Sequence, residues 1–164
     1  MNTGQMMMAI GAMLLLSTVM LRVNSNNLMN GTLRDEAQFG VLATSIATSL
    51  IEEANSKSFD DKSYTTSVSL TSELTEVSDL GPDGMETYET FNDFDDYKGL
   101  TRIDSTMPTA TFNISCDVNY VSSANVETVS LVKTWHKRIT VTVSSPFMGD
   151  TIKSSSIFSY WTFR

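Results

Sequence analysis

Three groups of residues in this chain are of types that do chemistry. The first is an acidic run, Asp93, Asp95 and Asp96, with Asp83, Glu86 and Glu89 close by. Carboxylates at alternate positions of a loop ligate Ca²⁺, a hard cation that takes oxygen ligands. The spacing is not that of an EF-hand loop, however, and no Glu stands at the closing position. The plainer reading is a turn whose aspartates bond their own backbone. The second group is basic: Lys133, Lys137 and Arg138 around His136, the one histidine. With no second His and no acidic partner at helical spacing, a surface histidine is favoured over a catalytic or metal-bound one. The two charged runs also suggest contacts between neighbouring copies, with Asp93, Asp95 and Asp96 of one against Lys133, Lys137 and Arg138 of the next. Such surface pairs set register more than affinity. The third group is a single cysteine, Cys116, which cannot form an internal disulfide, so the fold must stand without that staple. Asn30 and Asn113 each begin a glycosylation sequon, a short pattern that also arises by chance, and Asn113 falls within an expected strand. No nucleophile–base pair, phosphate-binding glycine loop or carboxylate dyad is recognisable, so no catalytic residue and no resident cofactor is expected. The chain reads as a structural protein and not as an enzyme.

The elements that must carry these residues begin with an apolar run. Residues 6–21 contain no charge, and only Ser17 and Thr18 carry hydroxyls; Arg22 closes the run. As a helix these sixteen positions span about 24 Å, short of a hydrocarbon core of about 30 Å. Counting from Met1 brings the segment to membrane-spanning length, with Gln5 at its edge. A cleaved secretory signal would show a basic start and a small-residue cleavage site, and neither is present. A lipoprotein signal would need a cysteine just past the apolar core. An ordinary membrane anchor remains a reading of the stretch. Six of the ten methionines lie at or before Met20. Flexible, polarizable Met fills irregular gaps between packed helices, and it suits a lipid-facing surface equally well.

Residues 23–31 hold Asn24, Asn26, Asn27, Asn30 and Gly31, weak helix formers that predict a loosened or broken helix or a plain linker. Asn30 or Thr32 would cap a second helix over 33–57, with Asp35 and Glu36 in its first turn. In it Phe39, Leu42, Ile46 and Leu50 form one apolar stripe and Ala37, Val41, Ala47, Ile51 and Ala54 a neighbouring one. Gly40, Ala43, Thr44, Ser45 and Thr48 make a small-residue flank. Either this helix covers its own sheet and also meets other subunits, or its outer face is merely tolerant. Residues 67–71 alternate weakly, as a short edge strand would, and 80–84 read as a turn around Pro82 and Gly84. Residues 112–120 alternate without a fault, placing Phe112, Ile114, Cys116, Val118 and Tyr120 on one face. Residues 138–144 alternate equally well, and 157–163 form a third strand. One-sided alternation predicts an antiparallel sheet with one covered face, and the 33–57 helix is the obvious cover. Trp135, Tyr160 and Trp161 are either core or an adhesive surface.

A resemblance draws these elements together. Met1-Asn2-Thr3-Gly4-Gln5-Met6 followed by an apolar helix resembles the mature N-terminus of type IV pilins and type II secretion pseudopilins. Those chains begin with Phe or Met and carry an acidic residue at the fifth position. Here Gln5 stands in that place; it keeps a carbonyl acceptor and loses the charge. Met1 is expected to be the first residue after a processed leader, in preference to a register that starts at Gln5. The acidic, aromatic turn Phe91-Asn92-Asp93-Phe94-Asp95-Asp96-Tyr97-Lys98-Gly99 is similar to one found between helix and sheet in minor pilins and pseudopilins, some of which hold calcium in a loop.

The resemblance implies an α+β fold of ladle form. A long N-terminal apolar helix, interrupted near 23–31, would pack on a C-terminal antiparallel sheet. The stem would be 1–57 (1–22 apolar, 33–57 amphipathic) and the sheet head 58–164. It also implies a subunit of an extracellular type IV pilus-like or pseudopilus filament on a bacterial cell surface, anchored in the inner membrane before assembly. The partners would be further copies of the chain and the pilus assembly machinery. The assembly residues would be Met1, Gln5, Met6, Met7, Met8, Ile10, Met13, Leu14, Leu15, Leu16, Val19, Met20 and Leu21. The alternative is a single-pass membrane-anchored binding module at the cell surface. The net charge of −8 argues against nucleic acid as a partner, because phosphate binding needs clustered Lys and Arg.

Overall fold

A computed structural model describes residues 2–107 and 110–161. Its first element is one helix, α1 (Thr3–Asn55), fifty-three residues without a break. The expected interruption at 23–31 is therefore absent, as is a new helix start near Thr32. The physical reason is cooperativity. Each Asn costs under about 0.7 kcal/mol and Gly about 1 kcal/mol, less than breaking and renucleating a helix already running on both sides. Thr18 and Thr32 fit into the helix by donating their hydroxyls to the carbonyls of Leu15 and Met29. The helix also stops at Asn55, two residues short of the expected Lys57.

The chain divides into two compact units within α1, Met1–Gln38 and Phe39–Arg164. In the second, the C-terminal part of α1 covers an antiparallel sheet, giving the α+β arrangement expected from the alternation. The strands are β1 (Thr101–Asp104), β2 (Phe112–Ser122), β3 (Asn125–Val129), β4 (His136–Ser144) and β5 (Ile152–Ser159). Their order is β1-β2-β4-β5, with β3 paired to β2. Cys116 stands opposite Val141, and Val118 opposite Ile139. All five alternating residues of β2 named above are buried, Cys116 among them. Against them lie Ala43, Ala47, Leu50, Ile51 and Ala54 of α1, so the helix residue facing the sheet is often alanine. Ala37 and Val41 of the expected second stripe are exposed, whereas Ala43 of the small flank is core.

Three local expectations change. Residues 67–71 are not a strand: a single 3₁₀ turn occupies Thr71–Glu73, and the Glu73 carboxylate accepts the N–H groups of Ser69 and Leu70. That carboxylate supplies what a neighbouring strand would have supplied. The last strand begins at Ile152, earlier than 157, and ends at Ser159, with a turn at Tyr160; residues 162–163 lie outside the described residues. The turn at 80–84 is present, with Gly81 and Gly84 at φ 133° and 61°.

Candidate functional site

Two places in the chain are chemically unusual, one in each compact unit. The first is α1 before Phe39. From Met6 to Leu21 the large apolar side chains range from 51% exposed at Ile10 to 77% at Met7. At about 100° per residue these positions point in every direction, so the segment is apolar all round. Such a helix is stable only when something else surrounds it. By length and composition it can cross a membrane. Gln5 is exposed with its neighbours, while Met1 lies outside the described residues.

The second place is a buried cluster of charge. Asp60 precedes α2 (Asp61–Thr65) and caps it. Its carboxylate accepts Lys62 N–H, and its own N–H donates to Ser63 Oγ. The same carboxylate accepts Thr75 N–H, Thr75 Oγ1–H and Tyr120 O–H. Backbone bonds join the 58–60 segment to the acidic turn: Phe94 N–H donates to Ser58 O, and Ser58 N–H to Asn92 O. In that turn Asp93 Oδ1 accepts the N–H groups of Asp95 and Asp96, and Asp96 Oδ2 those of Asn92 and Asp93. The aspartates thus bond their own backbone, as the plainer sequence reading held. A 3₁₀ turn over Asp95–Tyr97 follows, and Gly99 at φ 77° turns the chain into β1.

Into this cluster comes Lys137 from β4, fully buried. Its Nζ donates to Phe59 O at 2.8 Å, to Asp60 Oδ2 at 2.9 Å and to Asp95 Oδ1. It also lies over the rings of Phe59 and Tyr120, 4.7 and 5.3 Å from their centroids. One ammonium faces more carboxylates than it can neutralise, so the acids divide. Burial opposes charge on Asp60, but Lys137 and the bonds from Thr75 and Lys62 outweigh it and hold that carboxyl below the ordinary range. For Asp95, burial wins over Lys137 and the carboxyl is raised. Asp93 is pushed up to about 8 by burial and by the charge of Asp95, and Asp96 to about 6, chiefly by burial.

This arrangement corrects the expected charge contacts between copies. Asp93, Asp95, Asp96 and Lys137 are interior, and Lys137 pairs with Asp60 and Asp95 of its own chain. Lys133 binds Ser72 O, Leu74 O and Glu76; Arg138 binds Val126 O and lies 3.6 Å from Glu127. As for calcium, the Lys137 ammonium occupies the side of Asp95 that a cation would need. Among the described residues no group of three or more acidic, His or Cys side chains converges as metal ligands do. His136 is half-buried and its Nδ1 shares a hydrogen bond with Ser159 Oγ. Tyr160 is core, Trp135 stacks on it with centroids 5.0 Å apart, and Trp161 is half exposed.

Sequence reasoning missed Asp60 and the burial of Lys137. Lys137 was legible, because it is in phase with Ile139, Val141 and Val143 on the inward face of β4. Asp60 had only a helix-cap signal. Glu53, which accepts Tyr88 O–H and Tyr97 O–H, was likewise hidden on the helix. No protein-family model, no curated protein and no solved structure matches the chain.

Proposed function

We propose that this chain is a structural, non-enzymatic subunit of an extracellular filament of the type IV pilus or pseudopilus kind, anchored in the inner membrane of a bacterium before assembly. One observation carries the reading: α1 runs unbroken from an exposed segment that is apolar all round into a segment that is core of the sheet unit. An apolar rod leaving the bilayer must exchange lipid for other apolar helices or meet water, so copies of the same rod are its natural environment. Gln5 suits that environment, because an amide costs less than a carboxylate away from water. A head-to-tail contact that does not close on itself extends into a fibre, and no second kind of subunit is needed. Pilus assembly machinery would extract and add each copy.

Negative-stain microscopy of sheared cell-surface material tests this. Fibres containing the chain are expected, and a deletion of residues 1–31 is expected to abolish them. A full-length protein that stays a lone bilayer-bound species at every concentration would instead establish the membrane-tethered binding module, a reading favoured by the spanning length of the same helix.

A further inference from the structure

We propose that Lys137 Nζ and Asp95 Cγ join in an intramolecular isopeptide bond, a covalent staple between β4 and the turn that precedes β1. The partners are already in contact, with side-chain exposures of 0% and 3%. Tyr120 and Phe158 flank Lys137 on the neighbouring strands, and Phe59 O and Asp60 Oδ2 fix the amine from two further directions. Two groups held in this way react as if at very high concentration, since their orientation is settled by the fold. The dry, aromatic surroundings penalise a buried ion pair and not a neutral amide.

Asp95, and not Asp60, is the electrophile. Asp60 is an ionised carboxylate engaged by Lys62, Thr75 and Tyr120, and such an anion resists attack. Asp93 stands beside Asp95, accepting its backbone N–H at 2.9 Å, and burial and the charge of Asp95 push the Asp93 carboxyl up to about 8. Asp93 is therefore placed as the acid that polarises Asp95 and carries protons, and Asp60 as the positioning residue for the amine.

The step balances without a co-reactant. A proton passes from the Lys137 ammonium to the Asp95 carboxylate, leaving amine and acid. The Nζ lone pair forms a bond to Cγ. Asp93 gives its proton to the departing hydroxyl and takes one from the nitrogen, and the Cγ–O bond breaks. Ammonium and carboxylate become amide and one water, with Asp93 returned to its acid form. The amide N–H finds Phe59 O and Asp60 Oδ2 as acceptors. The staple would close a segment of 42 residues, in a chain whose one cysteine excludes an internal disulfide.

Tryptic digestion of the folded full-length protein, followed by tandem mass spectrometry, tests the bond. A branched peptide joining 63–98 to 134–138 is expected, uncut after Lys137 and lighter by one water than its parts. Lys137→Arg should remove it. Asp95→Asn should retain it with ammonia as the leaving group, which shows that the fold and not the particular acid directs the bond. Asp93→Asn should leave most of the chain unlinked while the buried-aromatic near-UV signal persists. Free 63–98 and 134–137 peptides from folded wild-type protein overturn the proposal, as does full cross-linking in Lys137→Arg.

Discussion

The helix before Phe39 and the sheet unit after it solve opposite problems. In residues 3–38 nearly every side chain is open, the large apolar ones included. In the sheet unit even charge is internal: one lysine and four aspartates are buried, and donors meet them from every side. The second region has a buried core of its own. The first exposes its large apolar side chains, and about 25 cal/mol for each Å² of apolar surface favours taking them out of water. One region thus presents its apolar side chains outward, and the other keeps its polar chemistry inside.

The contrast can be broken most severely at Lys137. Lys137→Met leaves Asp60 and Asp95 buried without the lysine that engages both, and removing one partner of a buried pair costs about 3–5 kcal/mol. Denaturant unfolding of the full-length protein in detergent should show a loss of that size, and a loss under 1 kcal/mol would mean the cluster is solvated.

Acidity offers a second, smaller lever. Asp93 binds its proton more tightly folded than unfolded, since its folded value of about 8 lies above the ordinary 3.8. Unfolding between those values releases a proton, so this contribution is intact at low pH and is lost as pH rises through the window. Asp96 acts in the same sense up to about 6. Asp60 acts oppositely, its contribution being lost as pH falls through its depressed folded value. Stability should therefore decline from about pH 5 to about pH 8, by at most about 1.4 kcal/mol per pH unit for each proton. Asp93→Asn should flatten the slope; an unchanged slope would remove Asp93 from the account.

A third change concerns the turn alone. Gly99 sits at φ 77° with open space around it, so Gly99→Ala meets backbone strain and no clash. The unfolding free energy should fall by about 1–2 kcal/mol, the cost of a non-glycine residue in the left-handed region.

The smallest stability effect is expected where the assembly effect is largest. Leu15→Asp lies on the uncovered helix, so unfolding of the sheet unit should shift by less than about 0.5 kcal/mol. On the proposed filament reading, fibre formation, followed by microscopy or sedimentation, should be lost. If the sheet unit loses stability as well, the two regions are not independent.

Several features of the fold were legible from residue order alone. Alternation in 112–120 named the inward face of β2 correctly, because a strand has a period of two whatever it pairs with. The charge-free run at 6–21 announced an uncovered helix, since composition alone decides how badly it tolerates water. The acidic turn, too, was readable as aspartates closing on their own backbone, a contact between near neighbours.

The strand period placed Lys137 on the inward face of β4, but only the tertiary structure decided which acids it meets and where the helix stopped. Whether Asp95 and Lys137 face neighbours or each other depends on bringing together residues 42 apart, and nothing local encodes that meeting. The continuity of α1 through its asparagines likewise reflects cooperative hydrogen bonding on both sides, a term that residue-by-residue propensity leaves out. Short-range periodicity is written in the chain, whereas the pairing of distant polar groups exists only once the apolar core has placed them.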